Sequence, residues 1–248
     1  MTNQTTHFGY KTIPSSEKTD RVASVFHSVA KRYDLMNDLM SFGLHRLWKQ
    51  MAVAKCAIRP KQTILDLAGG TGDMTRLMAK QLGKNGHIVL SDINHSMMSV
   101  GRDRLLNEGI VLSLHSVQAN AESLPFSNNS FDCVMIAFGL RNVTYKDMTL
   151  AEITRILKPG GRVVILEFSH PQTPTLNKLY DAYSFSVLPF LGKLITQDEE
   201  SYRYLAESIR MHPDQETLKT MMEQAGLERC EYQNIHQGIV AIHLGFKF

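Results

Sequence analysis

The 248-residue chain, with 43% hydrophobic and 21% charged residues, suits one soluble α/β domain with elaborations. No apolar run approaches the roughly 20 residues of a membrane span and no signal peptide is visible, so the expectation is a cytoplasmic protein. Cys56, Cys133 and Cys230 lie far apart without C-x-x-C spacing, which predicts reduced packing residues and no metal centre.

The net charge of +3 is uneven. Residues 1–62 hold ten Lys/Arg against four Asp/Glu, and the remainder holds 17 against 20. A basic N-terminal quarter suits an anionic lipid surface or an ordinary solvated face. The excess is too mild for a nucleic-acid partner, and no Asn-Pro-Pro-Tyr or catalytic-cysteine motif accompanies it.

Residues 1–20 show no periodicity and read as a flexible arm. The helical pattern then begins, with Val22, Val25, Phe26 and Val29 on one stripe. Residues 21–60 are expected to form a helical lid, with Tyr33, His45, Arg46 and Trp48 as side chains over a ligand. The central stretch follows. Thr63-Ile64-Leu65-Asp66-Leu67 is a short apolar strand, Ala68-Gly69-Gly70-Thr71-Gly72 a glycine turn, and Met74, Leu77, Met78 and Leu82 one face of a helix. Gly83 ends that helix.

Strand, glycine turn and helix open a nucleotide-binding unit, because glycine lets the backbone approach a ligand. A dinucleotide fold needs G-x-G-x-x-G, and Gly70-Thr71-Gly72-Asp73-Met74-Thr75 lacks the third glycine. Asp66 and Asp73 flank the turn and would repel a pyrophosphate. A ligand carrying a sulfonium and an ammonium group would not be repelled, which favours S-adenosylmethionine over NAD.

His87 to Asp92 is a second strand ending in an acid that can accept ribose hydroxyls or cap the next helix beside Asn94. Leu112 to Val117 is a third, leading to Asn120 and Ala121, whose amide groups can read an adenine edge. Phe131 to Phe138 is apolar enough for a central parallel strand buried on both faces. Beyond its carboxyl end, where ligands of open α/β sheets sit, come Arg141 and Asn142. A helix through Ile153 and Leu157 and a fifth strand, Arg162–Phe168, follow. Residues 171–213 interrupt the alternation with Tyr180, Tyr183, Phe185, Phe190, Tyr202 and Tyr204, read as a helical insertion forming an apolar pocket. A helix from Glu216 to Gln224 and an antiparallel strand pair close the chain.

The glycine turn after strand one, the acid after strand two, Asn120-Ala121-Glu122-Ser123-Leu124-Pro125-Phe126, and Leu157-Lys158-Pro159-Gly160-Gly161 together resemble class I S-adenosylmethionine-dependent methyltransferases. Tyr33–Asn37, Ser41–Trp48, Phe138–Val143, Arg155–Ser169 and Tyr202–Ile209 resemble the ubiquinone/menaquinone biosynthesis C-methyltransferase family. The resemblance implies a Rossmann-like domain over 21–248, with a mainly parallel seven-stranded sheet, antiparallel at its last strand and flanked by helices. It also implies S-adenosylmethionine as methyl donor and a polyprenyl quinol as acceptor: demethylmenaquinol, and 2-methoxy-6-polyprenyl-1,4-benzoquinol where the host makes ubiquinone. Peripheral contact with the inner face of the membrane and with other quinone-biosynthesis enzymes would follow.

Carried over by position, cofactor contacts fall on Gly69, Thr71, Asp92, Asn120 and Ala121, and the catalytic role on Arg141 and Asn142. Where the family often has Ser before Phe138, this chain has Ala137, so a hydroxyl contact is absent. Arg141 keeps its proton and cannot itself be the base, so its expected role is to stabilise a phenolate or orient a water, with Asn142 fixing the geometry. His45 and His170 are alternative bases. Competing readings are a methyltransferase acting on another small molecule or on oxygen, and a non-catalytic adenosine-binding module.

Overall fold

The first strand of the main sheet, β3 (Thr63–Leu67), shows how the layers are made. Its side chains alternate: Ile64 packs with Met74, Met78 and Trp48 on one face, and Leu65 and Leu67 pack with Leu150 and Ile153 on the other. Asp66 therefore points into a core face. The computed structural model describes residues 4–29, 37–38, 41–83, 85–110, 114–191 and 199–248.

Six more strands join it: β4 (His87–Asp92), β5 (Leu114–Gln118), β6 (Phe131–Ala137), β7 (Leu157–Phe168), β8 (Glu228–Ile235) and β9 (Val240–Phe246). Their order is β5-β4-β3-β6-β7-β9-β8. The pairs from β5 to β7 are parallel, and β9 runs antiparallel to both β7 and β8. The expected mainly parallel sheet with a reversed last strand is what forms. After β5 the chain returns to lay β6 beside β3, so the order reverses between these two strands and leaves a crevice at their carboxyl ends.

The described residues also form helices α1 (Ser15–Val29), α2 (His45–Lys55), α3 (Asp73–Leu82), α4 (His95–Asn107), α5 (Lys146–Ile156), α6 (Pro174–Ala182), α7 (Leu188–Leu191), α8 (Glu199–Arg210) and α9 (Gln215–Gln224). The Asn94 side chain caps α4 by accepting from the Met97 amide at 3.2 Å, and Asp214 caps α9 from Thr217 at 2.8 Å. Among the described residues no helix is long and apolar enough to cross a membrane.

Three expectations change. The first twenty residues contain a hairpin, β1 (Thr5–Phe8) with β2 (Lys11–Pro14), followed directly by α1. The hairpin docks on α8: the Phe8 ring stacks on Tyr204 at 4.3 Å, and the Tyr10 amide donates to Glu207 at 3.0 Å. Strand β7 begins at Leu157, five residues early, because Leu157 pairs with Phe131 before an irregularity brings Arg162 opposite Cys133.

Trp48 is no lid. It is 2% exposed in the core, edge-on to Phe168 at 6.0 Å. His45 is buried beside it with its ring on Asp38 at 2.9 Å, and burial lowers its pKa. Arg46 pairs with the same carboxylate at 2.9 Å, and Tyr33 lies outside the described residues.

Candidate active site

A cleft with about 820 Å³ of open space lies at the crevice between β3 and β6. Leu67 at the end of β3 lines it with Ala68 and Gly70 of the following turn, as do Phe138 and Gly139 after β6. Ala68 and Phe138 hold φ of 54° and 56°, the left-handed region that side chains rarely occupy. Strained backbone of this kind persists where the surroundings over-determine it, as they do at ligand sites.

Asp92, at the end of β4, lines the cleft. One carboxylate oxygen accepts from the Gly70 amide at 2.9 Å and the other from the Asn94 amide at 2.8 Å. Burial raises its pKa, opposed by those backbone donors. The acid thus ties the glycine turn to the start of α4 while it faces the cleft. Asn120 and Ala121 also line it. The Asn120 amide oxygen accepts from the Glu122 amide at 3.0 Å, so the group expected to read a base also holds its own turn.

Gly69 and Thr71 stand behind the cleft and do not line it. A Cβ on Gly69 would lie 2.5 Å from Leu90 Cδ1 and 2.7 Å from Asp66 Cγ, so its place is fixed by close packing. Thr71 is buried. The flanking acids are also quieter than charge counting predicts. Asp73 pairs with Lys49 at 2.7 Å and Arg104 at 2.9 Å. Asp66, wholly buried, has its pKa pushed up to about 7 by desolvation.

Asn142 lines the cleft, and its amide oxygen accepts from the Tyr204 hydroxyl at 3.0 Å. Arg141 does not line it. Its Nη1 donates to Glu167 at 2.7 Å and to the Phe138 carbonyl at 2.6 Å, with both side chains of the ion pair 2% exposed. Since β6 and β7 are neighbours, the pair bridges the two strand ends beside the cleft. Burial pushes the Tyr204 pKa up, which keeps its hydroxyl a donor.

Sequence reasoning expected a helical lid from residue 21 onward but named no residue of α1 as a ligand contact. Thr19, Val22, Ala23 and Phe26 line the cleft, and the apolar stripe before the first strand was their only signal. Gly101 was missed altogether: a Cβ there would sit 2.7 Å from the Gly70 carbonyl oxygen and 2.9 Å from the Thr71 carbon. Among the aromatics of residues 171–213, Tyr202 is core and Phe190 exposed, and none lines the cleft. The expected apolar pocket there does not form part of it. Ala137 is half-buried and also absent from its lining. His170 binds the His212 carbonyl at 2.8 Å, away from the cleft.

The residues fit an adenosine-bearing ligand: an acid at the second strand end, a glycine turn without room for a Cβ, and apolar walls. Sheet order and cleft define a protein of the S-adenosylmethionine-dependent methyltransferase class. Solved structures agree in fold. A SAM-dependent methyltransferase from Aquifex aeolicus superposes with TM-score 0.62 at 14% identity, over 88% of this chain and 97% of that one. A chain from the complex between the Haloferax volcanii Trm112 methyltransferase activator and a methyltransferase gives 0.66 at 18% identity over 91% and 96%.

The chain belongs to the ubiE/COQ5 methyltransferase family, which matches residues 15–247. Its relatives include the protein named ubiquinone/menaquinone biosynthesis C-methyltransferase UbiE in Hahella chejuensis, 60% identical over 98% of both chains. The protein of that name in Francisella tularensis is 59% identical over 99% of this chain and 98% of its own. The chain is accordingly a methyltransferase that uses S-adenosylmethionine.

Proposed function

We propose that the chain methylates a ring carbon of a polyprenyl quinol, converting demethylmenaquinol to menaquinol and, where the host makes ubiquinone, acting on the methoxy-polyprenyl benzoquinol. The observation that carries this reading is near-full-length identity of about 60% to proteins named for that reaction. The cleft's mixture of apolar walls with Asn142 is in keeping with it.

S-adenosylmethionine supplies an electrophilic methyl group. Asp92, Asn120 and Ala121 would hold the adenosine part, while Gly69 and Thr71 support the turn from behind. A neutral phenol is a poor carbon nucleophile and its phenolate a good one. With a phenol pKa of about 10, ionisation near pH 7 costs roughly 4 kcal/mol. The chain must offset part of that cost and exclude water, since the transfer consumes two opposite charges.

Tyr204 engages the Asn142 oxygen, which orients the Asn142 NH2 group as a donor to a ring oxygen. Arg141, locked to Glu167, adds the oriented dipole of a fixed ion pair beside that point without giving up a proton. A tail-bearing acceptor resides in a bilayer, so the enzyme works at its surface. Exposed Phe42, Leu47 and Phe190, and the basic N-terminal quarter, suit that position.

The test supplies methyl-labelled S-adenosylmethionine and a short-tailed, reduced demethylmenaquinol, with the product read by NMR. Label on the ring carbon is expected. Label on oxygen, or none with cofactor bound, would overturn the reading.

A further inference from the structure

A second cavity, of about 450 Å³, adjoins the cleft at Thr144, which lines both. Lys18 from α1, Lys146 from α5 and Arg141 line it, with hydroxyl groups from Tyr204 and Ser208. Lys18 Nζ donates to the Val143 carbonyl at 3.2 Å, and Lys146 Nζ donates to the same oxygen at 3.3 Å. Two ammonium groups thus converge on one neutral acceptor.

Helix architecture alone does not explain that arrangement. Lys18 is in the first turn of α1 and Lys146 is the first residue of α5, where the helix dipole disfavours cations and favours anions. Lys18 is 5% exposed, and loss of solvent together with Lys146 lowers its pKa to about 8. Burial also lowers that of Lys146.

The acids nearby make their short-range bonds to other groups. Glu167 holds Arg141, Glu122 accepts from the Thr144 and Tyr145 amides at 2.9 and 3.1 Å, and Glu207 holds the Tyr10 amide. His7 lines the cavity, and His212, buried near the same cations, has its pKa lowered well below the usual histidine value. Glu122 acts on both lysines, and Glu167 on Lys146, through space and partly offset the loss of solvent, while the hydrogen bonds of the two ammonium groups go to the neutral Val143 carbonyl.

We propose that this cavity is an oxyanion subsite, in which Lys18 and Lys146 bind a small anionic oxygen group. Its place beside Asn142 makes the ionised ring oxygen of the acceptor the ligand in turnover, and this last step rests on the proposed function. Because α1 also carries Thr19, Val22, Ala23 and Phe26 on the cleft, an anion joining Lys18 to Lys146 would tie that helix over the cofactor.

Inorganic phosphate is the probe, titrated into the full-length protein with S-adenosylmethionine saturating and with the lysine side-chain resonances followed by NMR. The Lys18 titration midpoint is expected to rise as phosphate binds. Lys18→Met and Lys146→Met should each weaken phosphate binding roughly tenfold or more, the worth of a charge-assisted hydrogen bond. Melting temperature and cofactor affinity of each variant report folding independently.

An unmoved Lys18 midpoint, or equal phosphate affinity in wild type and both folded variants, would overturn the subsite. Neither readout needs methyl transfer, so failure of the quinol assay does not bear on them. Phosphate competing with the quinol assigns the site to the acceptor oxygen. Phosphate that binds through the lysines without competing assigns it to a free oxyanion.

Discussion

Asp66 and Thr75 meet behind the glycine turn: one carboxylate oxygen of Asp66 accepts from the Thr75 amide at 2.8 Å and from its hydroxyl at 2.6 Å. The pair fastens the end of β3 to the first turn of α3. Burial pushes the Asp66 pKa up to about 7, above its ordinary 3.8. The folded chain therefore binds this proton more tightly than the unfolded chain, and stability falls as pH rises from about 4 to about 7, then levels off. At about 1.4 kcal/mol per unit, ionisation costs up to about 4 kcal/mol at pH 8. Asp66→Asn should gain on wild type as pH rises through this window, measured by denaturant unfolding of the cofactor-free protein. A variant that lost stability relative to wild type as pH rose would contradict this account.

Gly101→Ala should destabilise. In an ordinary helix interior the change is favourable by about 1 kcal/mol. Here the new methyl group meets backbone of the glycine turn, which has no rotamer to move. A loss of about 1–3 kcal/mol is expected, with cofactor affinity falling as the turn is displaced. Calorimetric titration and thermal melting measure both.

Arg141→Lys keeps the charge, but a flexible point charge replaces the planar group whose Nη1 serves both Glu167 and the Phe138 carbonyl. Methyl transfer should fall by roughly tenfold or more, with cofactor affinity little changed. Glu167→Gln leaves the guanidinium buried without its counter-charge, for a loss of about 3–5 kcal/mol. Full turnover in Arg141→Lys would remove Arg141 from the mechanism.

Tyr204→Phe deletes the hydroxyl that orients Asn142 and little else. The expected result is a fall in kcat of roughly tenfold, the worth of one hydrogen bond of about 1.4 kcal/mol, while the cofactor Kd stays constant. A variant that changed only cofactor affinity would place Tyr204 in a different role.

Periodic and turn-forming features were legible in the sequence. The β3–turn–α3 unit follows from alternation, glycines and a 3.6-residue stripe, and Asp92 from its place at a strand end. Long-range pairing was not. Arg141 and Glu167 lie 26 residues apart and meet only because β6 and β7 are neighbours. The hairpin of β1 and β2 has four-residue strands, too short for a pattern. Gly101 was invisible because a helical glycine reads as lost propensity until the backbone it approaches is known. The aromatics of residues 171–213 looked like a pocket because aromatic density does not say which face each ring takes.

The clasp between Tyr10 and Glu207 spans 197 positions of chain. During synthesis the amino-terminal hairpin emerges long before its dock on α8 exists, so it must wait while the intervening strands are made. The α1 wall of the cleft follows that hairpin directly and shares its anchor on α8. A ribosome product stopped short of α8 would carry the glycine turn and Asp92 without the latch. Assembly of the methyl-donor cleft thereby doubles as a check that α8 has been made.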